Sequence, residues 1–124
     1  MKNNYSNANK KPLKDLTNQD REEMSQFLKK NGEYKADEYA KKDDINSLHM
    51  AFGNYYAIGI GYKMIDSNKD LERVTKKGKD VVDRLVTKTG LSRKKVLVDL
   101  FDEIAKAIPQ AIKMVKEKGT SKKV

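Results

Sequence analysis

Seven side chains near one short turn of the chain carry groups suited to binding an anion: Lys76, Lys77, Lys79, Ser92, Arg93, Lys94 and Lys95. Ammonium and guanidinium groups neutralise phosphate oxygens, and each phosphate neutralised on a nucleic acid releases condensed counterions. Ser92 stands just ahead of an apolar-periodic run that starts at Val96, which is where a helix cap belongs. Three cations in a first helical turn oppose the partial positive charge there, and a docked phosphate offsets that local cost. The competing reading of the same residues is a helical hairpin whose charges face water.

Other chemistries fare worse. Without cysteine there is no disulfide framework, no thiol nucleophile and no Cys-ligated metal. His49 is the single histidine, so a His-based zinc site or a Ser/His/Asp triad is hard to build. His49 near Asp43 and Asp44 is too common a grouping to predict a metal. Asp99, Asp102 and Glu103 suit helix-face pairing with Lys95 and Lys106 better than acid–base work, which needs a cleft. Gly59 and Gly61 are followed by Tyr-Lys-Met-Ile, which is not a phosphate-loop layout. Tyr34, Tyr39, Tyr55, Tyr56 and Tyr62 are scarcely interleaved with basic residues, so they predict core or rim packing ahead of base stacking. The expectation is a protein that is not an enzyme and uses no cofactor or metal.

The charge is unevenly placed. The chain has 124 residues and a formal net charge of +9. Residues 1–74 hold 13 basic and 12 acidic side chains, while residues 75–124 hold 14 basic and 6 acidic. The second stretch therefore nets +8, a sign and density that attract polyanions. The length fits one domain. With 36% charged and 37% hydrophobic residues, its core should be modest. No apolar run reaches the ~18 residues a membrane span needs, and the first thirty residues lack a signal-peptide core. The expected location is the cytoplasm, away from membranes.

The elements that position the cluster read as helices. Residues 1–16 are polar and lack a period, which predicts a mobile arm. Thr17 and Asp20 have capping-box spacing, and Met24, Phe27 and Leu28 follow at helical steps. A helix over 18–31 results, with Asn31-Gly32 as its stop. Residues 33–44 fit a short surface helix or a loop equally. Residues 45–65 are the most apolar stretch, and two periods compete in it. Tyr56, Ile58, Ile60, Tyr62 and Met64 alternate as in a strand, while Leu48, Phe52, Tyr55 and Gly59 recur as in a helix. The reading is helix for 45–57, with 58–65 open and a short strand over 56–64 as the alternative. Glycines here weaken a helix but would let a neighbouring helix pack closely.

Ser67 and Asp70 repeat the capping-box spacing, and Leu71 to Leu85 follow a helical period over 68–88, with a bend at Gly78. Gly90 suits a left-handed stop. Val96, Leu97, Leu100, Phe101, Ile104 and Ile108 then form one stripe over 93–108. Pro109 lacks an amide hydrogen and predicts a kink or restart. The resulting organisation is mainly α: an arm over 1–16, a single helical domain over 17–118 and a frayed tail over 119–124.

Residues 78–108 resemble the helix pair of ribbon-helix-helix DNA-binding proteins. Gly90-Leu91-Ser92-Arg93 matches the turn of that family. Val82, Leu85 and Val86 match its first helix, and Val96, Leu97, Leu100, Phe101 and Ile104 match its second. The resemblance implies a phosphate clamp at Leu91, Ser92 and Arg93, and a homodimer. The family reads bases with a strand before the first helix, a place held here by Asp70-Leu71-Glu72-Arg73-Val74, which does not alternate as a strand should. The segment is also similar to the opening hairpin of HU-type histone-like proteins, although too few residues follow Ile108 for their β-arms. The expected function is non-catalytic binding of duplex DNA as a regulator or accessory factor, in the style of mobile elements. The alternative is a protein-interaction module of immunity or host-takeover type, whose groove or surface binds an acidic protein.

Overall fold

The computed structural model describes residues 15–121. The first fourteen residues of the expected arm and residues 122–124 of the expected tail lie outside that range. Leu16, placed by sequence in the arm, packs against the core. Among the described residues the structure is helical throughout and contains no strand.

Helix α1 (Asn18–Leu28) opens with the capping box read from the sequence. The Asp20 amide donates to Thr17 Oγ1 at 3.0 Å, and the Thr17 amide donates to the Asp20 carboxylate at 2.9 Å. Asn31-Gly32 does not stop the chain. Residues Lys29–Glu33 form a wider π-helical turn, in which the Tyr34 amide reaches back five residues to the Lys29 carbonyl. Gly32 lies flat against Ile58, and an added Cβ would fall 1.9 Å from the Ile58 Cδ1 atom. The glycine thus serves close approach, not termination. The extra residue per turn carries Glu33 into the interior. Helix α2 (Tyr34–Lys42) follows directly, so the 33–44 stretch is helical.

Helix α3 (Ile45–Met64) begins at Asp44, whose carboxylate accepts from the Ser47 amide at 2.8 Å. It is one helix to Met64, so the alternative of a strand over 56–64 is corrected. The helix is surrounded: α1, the wide turn, α2 and the two long helices that follow all pack on it. A helix packed on most of its sides carries apolar residues around most of its circumference, which blurs its period. Gly61 meets Leu28 side-chain atoms at 3.2 Å from the position of a Cβ, so its close approach to α1 depends on glycine.

A left-handed Asp66 ends α3, with the Ser67 amide reaching the Tyr62 carbonyl at 2.9 Å and the Asp66 amide that of Lys63 at 3.1 Å. Together these bonds satisfy the last carbonyls of the helix. Helix α4 (Asn68–Thr89) returns along α3. Ser67 does not form the expected capping box, because Asp70 is turned into the core and accepts from the Ser67 hydroxyl instead. Gly90, at φ 72°, ends α4 as expected. Helix α5 (Arg93–Asp99) is capped by Ser92 Oγ, which accepts from the Lys95 amide at 3.1 Å. Helix α6 (Phe101–Ser121) continues nearly in line, since the Leu100 amide bonds to Val96 and the Ile104 amide to Leu100. Pro109 sits inside α6 without ending it.

One apolar cluster joins α2, α3, α4 and α5 through Ala36, Leu48, Tyr55, Val82, Leu85 and Val96. A second joins α1, α3, α4 and α6 through Leu28, Ile58, Tyr62, Val74 and Val115. Ala107 and Ala111 seat α6 on Ala57 of α3. Each fully buried leucine here contributes about 1.5–3 kcal/mol of transfer free energy.

Between the clusters lies a buried polar knot. Glu33, 2% exposed, accepts from Arg73 Nη2 at 2.6 Å and Nε at 2.9 Å, from Lys77 at 2.7 Å and from the Tyr62 hydroxyl at 2.8 Å. Asp70, 1% exposed, accepts from Ser25 at 2.6 Å and from Arg73 Nη1 at 2.7 Å. Asp37 accepts from Tyr55 at 2.6 Å and from Lys77 at 3.0 Å. Burial pushes the Glu33 carboxyl up, but the bonds from Arg73, Lys77 and Tyr62 outweigh it and bring it down to about 2. Asp70 likewise falls to about 2, burial being outweighed by Ser25, Ser67 and Arg73.

These lowered carboxyls set the acid behaviour. Both carboxylates contribute stability that is present above their ordinary values of 4.5 and 3.8 and is lost as pH falls toward about 2. Thermal melts should fall steeply across that window. Glu33→Gln should flatten the acid dependence and cost about 3 kcal/mol at neutral pH, because Arg73 and Lys77 lose their shared anion. A variant as stable as the parent in a urea titration would refute the role given to Glu33.

Candidate functional site

The seven residues singled out by sequence separate in space. Lys77 turns inward. Its ammonium lies within 3.3 Å of three carboxylate oxygens on Glu33 and Asp37, and these bonds outweigh its desolvation to raise its pKa. It belongs to the knot and is engaged there, so it is removed from the anion-binding set. Lys76 and Lys79, one residue to either side of Lys77 and Gly78, face outward and are exposed. Ser92 is occupied as the α5 cap. Arg93 pairs with Asp83 at 2.5 Å across the Gly90 turn, both partners being exposed. Lys95 pairs with Asp99 at 3.1 Å, as its spacing suggested. Lys94 is exposed, and its side chain forms no ion pair among the described residues.

Lys79 and Arg93 nevertheless converge. Both lie at the mouth of a groove of about 500 Å³ between α3, α4 and the start of α5. Phe52, Tyr56, Ile60, Val74, Val82 and Leu97 line it. Gly59, Gly78 and Lys63 line it as well. Its charged lining residues are Lys63, Lys79 and Arg93, with no carboxylate among them. The groove lies on the face of the α3–α4 pair that carries Tyr56 and Ile60; Tyr55 also lines it while its hydroxyl reaches Asp37 in the knot, and Tyr62 reaches Glu33 there. Sequence reading named both walls but did not bring them together, since that depends on the α3–α4 crossing.

The tyrosines divide accordingly. Tyr55 and Tyr62 are buried, and their hydroxyls are raised in pKa first by desolvation and then by the carboxylates they serve. Tyr34 and Tyr56 are exposed, and Tyr56 stacks at a tilt on Phe52 with ring centroids 6.0 Å apart. Asp70-Leu71-Glu72-Arg73-Val74, in the place where a ribbon would precede the first helix, is helical and lies inside α4. Asp70 and Arg73 of that segment bond to each other within the knot. No group of three or more His, Asp or Glu side chains suited to a metal occurs among the described residues.

Adjacent lysines should therefore behave oppositely. Lys77→Met should cost about 2–3 kcal/mol, since it takes a half-buried cation from the buried Glu33 and from Asp37. Lys76→Met should stay within about 0.5 kcal/mol, as a solvated position. Chemical denaturation of the two variants decides it, and equal stabilities would contradict the inward placement of Lys77. Comparison with family models, with curated proteins and with solved structures finds no match for this chain.

Proposed function

We propose that the protein is a non-catalytic DNA-binding protein that grips backbone phosphates with Lys76, Lys79, Arg93, Lys94 and Lys95 around the Gly90 turn. The supporting observation is a run of exposed cations along α4 and the first turn of α5. There Lys76, Lys79 and Lys94 lack ion-pair partners among the described residues, and Arg93 and Lys95 are held only by exposed pairs. Exposed pairs contribute about 0–1 kcal/mol, so a phosphate displaces Asp83 or Asp99 at little cost. The helical Asp70–Val74 segment offers no ribbon, so contact is to the phosphate backbone and the reading carries no base specificity. A role as regulator or accessory factor of a mobile element follows from the family resemblance alone, and action in the cytoplasm from the sequence pattern alone.

A second reading rests on the groove. Apolar walls with Lys63, Lys79 and Arg93 at the edges suit an acidic amphipathic helix of a protein partner.

Electrophoretic shift with random duplex DNA across a salt series tests the first reading. Five phosphate contacts predict a loss of affinity of about 500-fold between 50 and 200 mM salt. The combined substitution of Arg93, Lys94 and Lys95 by Glu should abolish binding while leaving the circular dichroism unchanged. Affinity that is absent or insensitive to salt overturns the proposal. Retained DNA binding in the triple variant, together with a lost acidic partner, favours the groove.

A further inference from the structure

The groove between α3, α4 and the start of α5 has two features that the packing of the fold does not require. The first lies in its glycines. At Gly32 and Gly61 a Cβ would fall 1.9 Å from the Ile58 Cδ1 atom and 3.2 Å from the Leu28 side chain, so close packing accounts for both. Gly59 and Gly78 have no such cause. A Cβ on Gly59 would rest 3.6 Å from Leu71 and 3.7 Å from Val74, and one on Gly78 would come no closer than 4.0 Å to Phe52. These are ordinary contact distances, so alanine fits at both positions, and glycine inside a helix costs stability relative to alanine. Leu71, Val74 and Phe52, the side chains a Cβ would meet, all line the groove. What the two glycines preserve is therefore the open space of the groove.

The second feature is charge. The charged lining residues are Lys63, Lys79 and Arg93. Lys63 and Lys79 are exposed and form no ion pair among the described residues. Asp83, four residues beyond Lys79 and so on the same side of α4, holds Arg93 through an exposed pair. Lys79 and Arg93 are thus both neighbours of one carboxylate at the edge of an apolar trough. An exposed pair of this kind contributes little, so Arg93 exchanges its anion readily.

We infer that the groove binds a small amphipathic anion, an apolar chain ending in one carboxylate. The chain lies over Gly59 and Gly78, and the carboxylate sits between Lys79 and Arg93. A space of about 500 Å³ has the size of a small-molecule site. A helix laid on the same surface would reach the space over the glycines with side-chain tips only. The lining runs from Phe52 to Lys63 along α3, a rise of about 16 Å, which accommodates an extended chain. Resting on the DNA-binding reading, occupancy has one consequence. The bound carboxylate engages Lys79 and Arg93, two of the five proposed phosphate contacts, so ligand and DNA oppose each other.

Isothermal titration of the full chain with decanoate tests the site. Decanoate should bind with a dissociation constant below about 1 mM. Acetate, which lacks the chain, and decyltrimethylammonium, which has the wrong charge, should not bind. Gly78→Leu fills the space and should weaken decanoate by about tenfold or more, while the thermal melt holds or rises. Gly78→Ala, which adds only the methyl, should move both readings in the same direction. Lys79→Gln with Arg93→Gln should weaken decanoate about tenfold. Phe101→Asp, on the exposed outer face of α6, should leave it unchanged. No heat with decanoate, equal binding of the cation, or binding that survives Gly78→Leu and fails in Phe101→Asp overturns the inference. In the DNA salt series, saturating decanoate should lower the slope of log affinity from about 4.5 to about 2.7, as five contacts become three. An unchanged slope overturns the coupling. A protein that binds decanoate and ignores DNA keeps the site and removes the DNA-binding reading. One that shifts DNA without binding decanoate does the reverse.

Discussion

Glu33 is the group on which the remaining architecture depends. A carboxylate taken out of water is costly unless its lone pairs are filled and its charge is matched. Here the filling comes from two other elements: Tyr62 from α3, and Arg73 and Lys77 from α4. Arg73 then extends the knot to Asp70, and Asp70 extends it to Ser25 on α1. Lys77 extends it to Asp37 on α2, which holds Tyr55 of α3. Apolar contacts hold these helices together, but they tolerate sliding and rotation by a turn. Directional bonds to a buried anion do not. The knot therefore fixes the register of α1, α2 and α4 on α3.

The wide turn at Lys29–Glu33 is part of that device. A regular helix through Gly32 would rotate Glu33 by a further fraction of a turn and direct it elsewhere. Gly32, pressed on Ile58, lets the turn lie close enough for the carboxylate to reach Arg73. The same glycine reads as a stop in sequence because Asn-Gly is a common terminator. What separates the two readings is Ile58, twenty-six positions away, and no local pattern contains it.

Other features divide along the same line. The Thr17–Asp20 capping box, the Gly90 stop, the Ser92 cap and the Lys95–Asp99 pair are local, and sequence spacing identified each of them. Ser67 and Asp70 have the same local spacing, yet Asp70 is drawn into the interior by Arg73 and Ser25. The ambiguity over 58–65 had a physical cause too. A helix packed by α1, α4 and α6 buries Ile58 and Tyr62 on one face and carries Ile60 on another, and those residues alternate as a strand would. The groove was half legible: its cations were named, and its apolar walls were assigned to the core.

Net charge by segment is a poor guide to surface charge, and this chain shows why. Three of the fourteen cations of residues 75–124 meet acids from the first seventy-four. Lys77 is bound by Glu33 and Asp37, and Arg84 and Lys88 both reach Asp43. These pairs cross from α4 to α2 and its end, so they neutralise one side of α4 and leave the opposite side basic. Lys76, Lys79 and Lys94 are among the cations outside these pairs, and Lys79 lines the groove with Arg93. Folding thus converts a diffuse excess along the sequence into a local one in space. An anion approaching this protein meets the α4–α5 turn as a positive end, while the α2 side of the same helix is close to neutral.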